Sequence, residues 1–369
     1  MDFTLDETQR EIVDLARDVL TRETEPYLAW RALSQAGLLT LATPERFGGA
    51  GLGVLETALV LTEVGRQAVQ VPALETLALG ALPIARAGTE EQRRTLLGAV
   101  AEGATLTAAI TEPSAPLPAT PRTTALPDPS GGWVVSGTLV GVRSAGSAHR
   151  ILVPATLAGG ARAPGSAPDG DPTGTGVLLV DPQTPGVTRT ATRTSAGTAE
   201  FTVHLSDARV PSDALLGDDR SGVVLAGLHR SALVGACAVG DGLLSGALQL
   251  TADHLRKREQ FGRPLATFQA VAQQVADAYL ASRTLHLATL AACWELDSSS
   301  SDAGAESGDV EVAGYWLAER ALPALHVCQH LHGGLGMDVS YPLHRHYAMT
   351  KDLTRFVGGV DRRLAGLAS

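Results

Sequence analysis

Apolar residues recur at helical spacing through the first third of the chain: Ile12, Val13, Leu15, Ala16, Val19 and Leu20, then residues 54–64, then Leu96, Leu97 and Val100. Thr4-Leu5-Asp6-Glu7 has the spacing of a capping box, and Thr89-Glu90-Glu91-Gln92 repeats it ahead of the third run. Pro and Gly mark the joints between runs. Near Thr105 the pattern shortens into β-rich runs at 106–111, 133–136, 150–154, 177–180, 187–190 and 201–205, which predict an antiparallel sheet or barrel. Residues 114–129 are Pro-rich and 159–176 are rich in Gly, Pro and Ala, so both read as surface loops. From Gly222 the helical period returns over three or four long segments, with a serine-rich connection at 298–308. The expected order is a helical domain (1–104), a central β domain (105–217) and a C-terminal helical bundle (218–369).

A chain of 369 residues that is 44% apolar can bury a sizeable core over two or three domains. Its formal net charge of −10, without a long basic block, argues against nucleic acid as the main partner. A few local arginines can still bind an anion. Cys237, Cys293 and Cys328 are far apart and form no CxxC pair, so neither a disulfide framework nor a zinc knuckle is indicated. His326, His330 and His332 lack acidic or Cys neighbours at metal-site spacing, so no metal is expected. No apolar run approaches bilayer length and the N-terminus does not read as a leader, which makes a reducing cytoplasm the expected location.

The informative motifs lie toward the C-terminus. Arg258-Glu259-Gln260-Phe261-Gly262-Arg263-Pro264 is followed by Phe268-Gln269-Ala270-Val271, then His332-Gly333-Gly334-Leu335-Gly336 and Tyr341-Pro342-Leu343-His344-Arg345. Arg258 and Phe261, three apart, are expected to share a face at the end of a helix. A guanidinium fork suits a pyrophosphate, and the Gly333-Gly334 pair lets backbone approach a nucleotide with no Cβ in the way. Together with Ala36-Gly37-Leu38, Pro44-Glu45-Arg46-Phe47-Gly48-Gly49, Ile110-Thr111-Glu112-Pro113 and Asp207-Ala208-Arg209-Val210-Pro211, these motifs resemble the acyl-CoA dehydrogenase family over nearly the whole chain and in the right order.

The resemblance implies an α+β fold of N-terminal helical domain, central β-barrel-like domain and C-terminal four-helix bundle. It implies FAD as cofactor, acyl-CoA thioesters as substrates, and an electron-transfer flavoprotein as one route for the electrons. It also implies that Arg258, Phe261, Gln269, Gly333 and Gly334 reach across a subunit interface to the ADP half of a neighbour's FAD. His330 stands where a Gln is frequent, and Thr111 would donate hydrogen bonds to the flavin ring.

Several positions depart from the family pattern. The usual base is a Glu before a Gly near the C-terminus; here the stretch reads Arg355-Phe356-Val357-Gly358-Gly359, and Val357 cannot accept a proton. On the long helix preceding Arg258 the only acids are Asp241 and Asp253. Asp241, among small residues, is the better catalytic candidate, with helix packing and a basic neighbour as its alternative. The Gly-rich continuation of the Thr-Glu-Pro motif is replaced by Ser114-Ala115-Pro116. Gly141 stands where a flavin-covering Trp is common, and the next polar position falls near Arg143 and Ser144. Groups that serve a flavin in the chain's own pocket are thus lost, and groups that reach a neighbour's are kept. That pattern is similar to the base-lacking subunit of heterotetrameric members that act on steroid side chains. A self-sufficient homo-oligomeric flavoenzyme with another base or chemistry, such as flavin-dependent oxygenation, and a flavin-free scaffold are the alternatives.

Overall fold

The computed structural model describes residues 3–158, 172–298 and 308–368. Helices α1 (Glu7–Arg22), α2 (Pro26–Gln35) and α3 (Val54–Arg66) open the chain. A π-helical stretch, Leu74–Ala81, runs into α4 (Leu82–Ala87), and a second, Arg93–Leu97, joins α5 (Glu90–Gln92) to α6 (Gly98–Ala101). The strands are β1 (Leu106–Ala108), β2 (Thr111–Glu112), β3 (Ala115–Pro116), β4 (Thr124–Pro127), β5 (Trp133–Arg143), β6 (Arg150–Ala158), β7 (Pro172–Val180), β8 (Val187–Arg193) and β9 (Ala199–Val210). Then come α7 (Val223–Lys257), the hairpin β10 (Glu259–Gln260) and β11 (Arg263–Pro264), α8 (Gln269–Ser298), α9 (Gly308–Trp316), α10 (Leu322–His332), α11 (Leu343–Phe356) and α12 (Gly359–Gly366). Most of the two expected connections at 159–176 and 298–308 lies outside the described residues. The residues group into two compact units, one of Met1–Leu38, Gly53–Val71 and Leu233–Ser369, the other of Leu39–Leu52 and Pro72–Ala232.

The first unit is helical. Asp6, rather than Thr4, caps α1: its carboxylate accepts from Gln9 N at 2.8 Å and Gln9 Oε1 accepts from Asp6 N at 3.1 Å. The carboxylate of Asp297, on α8, caps α3 by accepting from Val54 N at 2.8 Å and Leu55 N at 3.2 Å. α3 and α7 meet backbone to backbone. A Cβ on Gly65 would sit 2.2 Å from the Val239 carbonyl oxygen, one on Gly242 1.9 Å from that of Thr62, and one on Gly246 2.3 Å from that of Arg66. Cys237 on α7, Cys293 on α8 and Cys328 on α10 are free thiols, all buried. α7 corrects one expectation, because it is long and apolar enough by composition to cross a bilayer. In its most apolar window 67% of the residues are buried within the protein, as in the core helix of a globular fold.

The second unit is built on a mixed sheet, and here the expected barrel is corrected. β6 pairs with β7 antiparallel along one edge, and in parallel with β1 and then β4 along the other; β5, β9 and β8 follow. Among the described residues β8 does not pair with β7, so the sheet is open. The outer edge of β7 is covered instead by the segment after β9: Thr175 bridges to Ser221, Leu178 to Leu215, and Thr175 N donates to the Arg220 carbonyl at 3.1 Å. A covered edge satisfies its backbone groups without closure. Val135, Leu139, Ile151, Val153, Leu178, Val180, Val203 and Leu205 form the core of this unit.

Candidate functional site

α7 stops at Lys257, one residue before Arg258. The backbone N of Arg258 still bonds the His254 carbonyl at 2.8 Å, after which the chain turns into the β10–β11 hairpin. Phe261 (φ 53°) and Gly262 (φ 77°) form its tip, both left-handed, as a two-residue primed turn requires. Arg258 and Phe261 therefore do not share a helix face, which corrects that expectation; the turn at Phe261-Gly262 takes the chain out of the helix. Phe261 is 93% exposed at the hairpin tip. Behind it, Arg263 stacks over the Phe268 ring at 4.1 Å. Arg258 is exposed, and among the described residues no carboxylate pairs with it. Gln269, also exposed, begins α8.

α10 ends at His332, and Gly333 takes φ 57° with ψ −134°, a conformation that only glycine adopts without strain. Nothing lies within 4 Å of where a Cβ on Gly333 or Gly334 would sit, so this backbone is open to an incoming group. His330 is exposed in the last turn of α10. An uncompensated guanidinium and an open glycine turn fit the diphosphate of a dinucleotide.

Rings tie the ends of α7 and α10 together. His254, in the last turn of α7, stacks on His332 with centroids 4.6 Å apart and planes 22° from parallel. His332 is only 4% exposed. Its Nδ1 lies 2.8 Å from the Cys328 carbonyl and its Nε2 3.2 Å from the Tyr341 hydroxyl. A carbonyl only accepts, so Nδ1 carries the proton and Nε2 accepts from the tyrosine. Burial lowers the pKa of both imidazoles; at His254 the neighbouring His332 and Arg258 add to it, and at His332 the Cys328 and Leu250 carbonyls oppose it. This three-residue anchor was not found by sequence reasoning. Its one visible signal was a histidine directly before Gly333-Gly334.

On the side where the family pattern has its base, Val357 is fully buried and its N–H closes α11 on the Leu353 carbonyl at 3.1 Å. Gly358, at φ 89°, turns the chain into α12. Asp241 is 3% exposed and lies 2.8 Å from His286 Nδ1 on α8. Asp253 belongs to a surface network with Arg256 at 2.9 Å and Gln249 at 3.0 Å. Among the described residues no group of His, Cys, Asp and Glu has the arrangement of a metal site.

In the sheet unit, Thr111 is half-buried at the start of the β2–β3 hairpin. Its neighbour Glu112 is buried and accepts from Arg122 N (2.8 Å), Thr123 N (2.7 Å) and Thr123 Oγ1 (2.8 Å), pinning the Pro-rich segment to β2. Ser114 sits at φ 60°, a position that favours glycine. Gly141 has φ 65° at a bulge, where the β5–β9 register slips between Leu139 and Val142. The next polar side chain, Arg143, pairs with buried Glu75. The bulge gives Gly141 a backbone role. Gly141→Trp is expected to cost about 1–2 kcal/mol of left-handed strain, and Gly141→Ala nearly as much. Denaturant midpoints of the two variants measure it; an unchanged Ala variant would assign the whole effect to ring size.

Residues 5–104 match the family described as acyl-CoA dehydrogenase, N-terminal domain, and residues 222–365 match acyl-CoA dehydrogenase, C-terminal domain. The chain is 41% identical over 364 residues to acyl-CoA dehydrogenase FadE28 of Mycobacterium tuberculosis, an alignment covering 99% of this chain and 97% of that one. Its fold superposes on the ChsE4-ChsE5 complex of Mycobacterium tuberculosis with a TM-score of 0.87 at 30% identity, covering 100% of this chain and 98% of that one. It superposes on a variant of the Tcur3481-Tcur3483 steroid ACAD with a TM-score of 0.86 at 36% identity, covering 99% and 98%.

Proposed function

Since the chain belongs to the acyl-CoA dehydrogenase family, we propose that it is the base-lacking subunit of a hetero-oligomeric, FAD-dependent acyl-CoA dehydrogenase. One contrast carries this reading. Val357 is buried where the family pattern has its carboxylate, while Arg258 stands exposed without an anionic partner among the described residues. In this role Arg258 balances the charge of a diphosphate, and Gly333 and Gly334 give it room. Phe261, Gln269 and His330 flank the nucleotide, and Thr111 is the remaining donor toward a flavin ring. FAD, when bound, supplies the acceptor for a hydride from the thioester β-carbon. The proton from the α-carbon goes to a carboxylate on the partner chain, because neither Val357 nor the His286-paired Asp241 is a free base here. The similar ChsE4-ChsE5 structure is a complex of two different chains, which supports an unlike partner. The steroid named for the Tcur3481-Tcur3483 protein supports a bulky acyl group on the thioester.

The test is to purify the chain alone and together with a co-encoded relative, then record flavin absorbance and turnover on a panel of acyl-CoA thioesters. The chain alone is expected to show no dehydrogenation, and the pair both flavin and turnover. Ordinary turnover by the single chain that survives Asp241→Asn overturns the proposal in favour of a self-sufficient enzyme. Neither preparation holding flavin would favour a scaffold.

A further inference from the structure

Arg258 and the Gly333-Gly334 turn lie on separate elements. Arg258 follows the end of α7, and Gly333 follows the end of α10. Beside these ends, the stack of His254 on His332, at 4.6 Å, joins the two helices. His254 is four residues before Arg258, whose backbone N bonds the His254 carbonyl at 2.8 Å; His332 directly precedes Gly333. We propose that His332 is a positioning residue: stacked on His254 and held by the Cys328 carbonyl and the Tyr341 hydroxyl, it sets Arg258 against the glycine turn, and only its neutral form does so. The inference rests on the proposed role of Arg258 and Gly333 in holding the ADP half of FAD.

The charge around the pair explains why neutrality matters. On α7, His254 faces the ring, Arg258 lies one turn beyond it, and the Leu250 carbonyl is within reach. On α10 the Cys328 carbonyl accepts from Nδ1, and the Cys328 thiol itself is neutral, its pKa raised by burial. Tyr341 faces Nε2, with its own pKa raised by burial and then by Asp253. A proton on buried His332 would place a second charge beside His254 and Arg258. Both imidazoles titrate below their ordinary 6.5 when the stack is formed, so an opened pair binds protons more readily. The stack is therefore intact above about pH 6.5 and loses stability as the pH falls below it. Arg258 and the glycine turn then lose their fixed separation.

The assembled protein, purified with its partner subunit, serves for the test, with FAD and ADP as probes and equilibrium binding as the readout. Between pH 8 and pH 5.5 the FAD dissociation constant of the wild type is expected to rise about tenfold, the scale of one perturbed histidine. His332→Ala should bind about tenfold more weakly already at pH 8. His332→Phe keeps a flat ring against His254 and cannot be charged; it should bind within about threefold of wild type at pH 8 and lose at least half of the pH dependence. Melting is followed in parallel because His346, buried between the Arg66 and Pro342 carbonyls with its pKa lowered by burial, destabilises the helical unit in acid without touching this stack. If His332→Ala does not fold, His254→Leu removes the other ring and is read the same way. Wild-type affinity in the Ala or Leu variant at pH 8, or a wild-type pH profile in the Phe variant, overturns the positioning role. An Arg258→Ala protein that retains FAD normally overturns the site reading itself, whatever His332 does.

Discussion

Val357→Glu is expected to remain inactive as a dehydrogenase and to lose about 3 kcal/mol or more of stability at pH 8, the scale for burying an unpaired carboxylate. The side chain it replaces is fully buried and seals the end of α11. A glutamate there is taken out of water, so its pKa rises above the unfolded value of about 4.3. The sign follows. The folded state then holds a proton that the unfolded chain releases, so the penalty is full at high pH and shrinks as the pH falls toward about 4.3. Chemical denaturation of variant and wild type at pH 8 and pH 5 should show the gap narrowing. Flavin bleaching by a panel of acyl-CoA thioesters tests the functional half. The sheet-side positions that would cradle a ring in this chain carry Ser114 at φ 60°, Gly141 at φ 65° and an Arg143 committed to Glu75. A base without a hydride acceptor in the same pocket completes no reaction. Bleaching by the variant without its partner would show that this chain holds a competent flavin of its own.

Arg258→Ala should weaken FAD retention in the assembled protein by about 1.5–3 kcal/mol, the range for a charged hydrogen bond, or roughly ten- to a hundredfold. Melting of the subunit should hardly change, because the guanidinium is exposed and among the described residues holds no carboxylate. Arg258→Lys should recover only part of the loss, since an ammonium lacks the planar fork that grips two phosphate oxygens. The wild-type affinity should also fall with added salt more steeply than that of the Ala variant. FAD dissociation constants at two ionic strengths check both; equal constants for wild type and Arg258→Ala would make Arg258 a surface residue.

The succession of helices, strands and helices was legible because the hydrophobic period switches near Thr105 and again near Gly222. The family was legible because its motifs recur in order. Closure of the sheet was not. Alternation along β7 says which face is buried, but not that Ser221 and Leu215 reach its outer edge. β4 lies inside the Pro-rich stretch, where composition hides four extended residues. Of the candidate site, the residue types were readable and their backbone states were not. A hairpin tip at Phe261-Gly262 and a bulge at Gly141 depend on a partner strand that local sequence does not specify. The His254–His332 stack joins residues far apart in the chain, so only three-dimensional packing reveals it.

The three cysteines give the helical unit a built-in clock. Cys237, Cys293 and Cys328 lie on three different helices of that unit, none is paired, and burial raises every thiol above its ordinary range. A thiol reagent needs an exposed thiolate, so modification waits for the helices to part. The sheet unit contains no cysteine among its described residues and is silent to the reagent. The labelling rate of the unmodified protein therefore times the opening of the helical unit alone. Comparing that rate with and without the partner subunit would measure, in seconds or hours, how firmly assembly holds those helices shut.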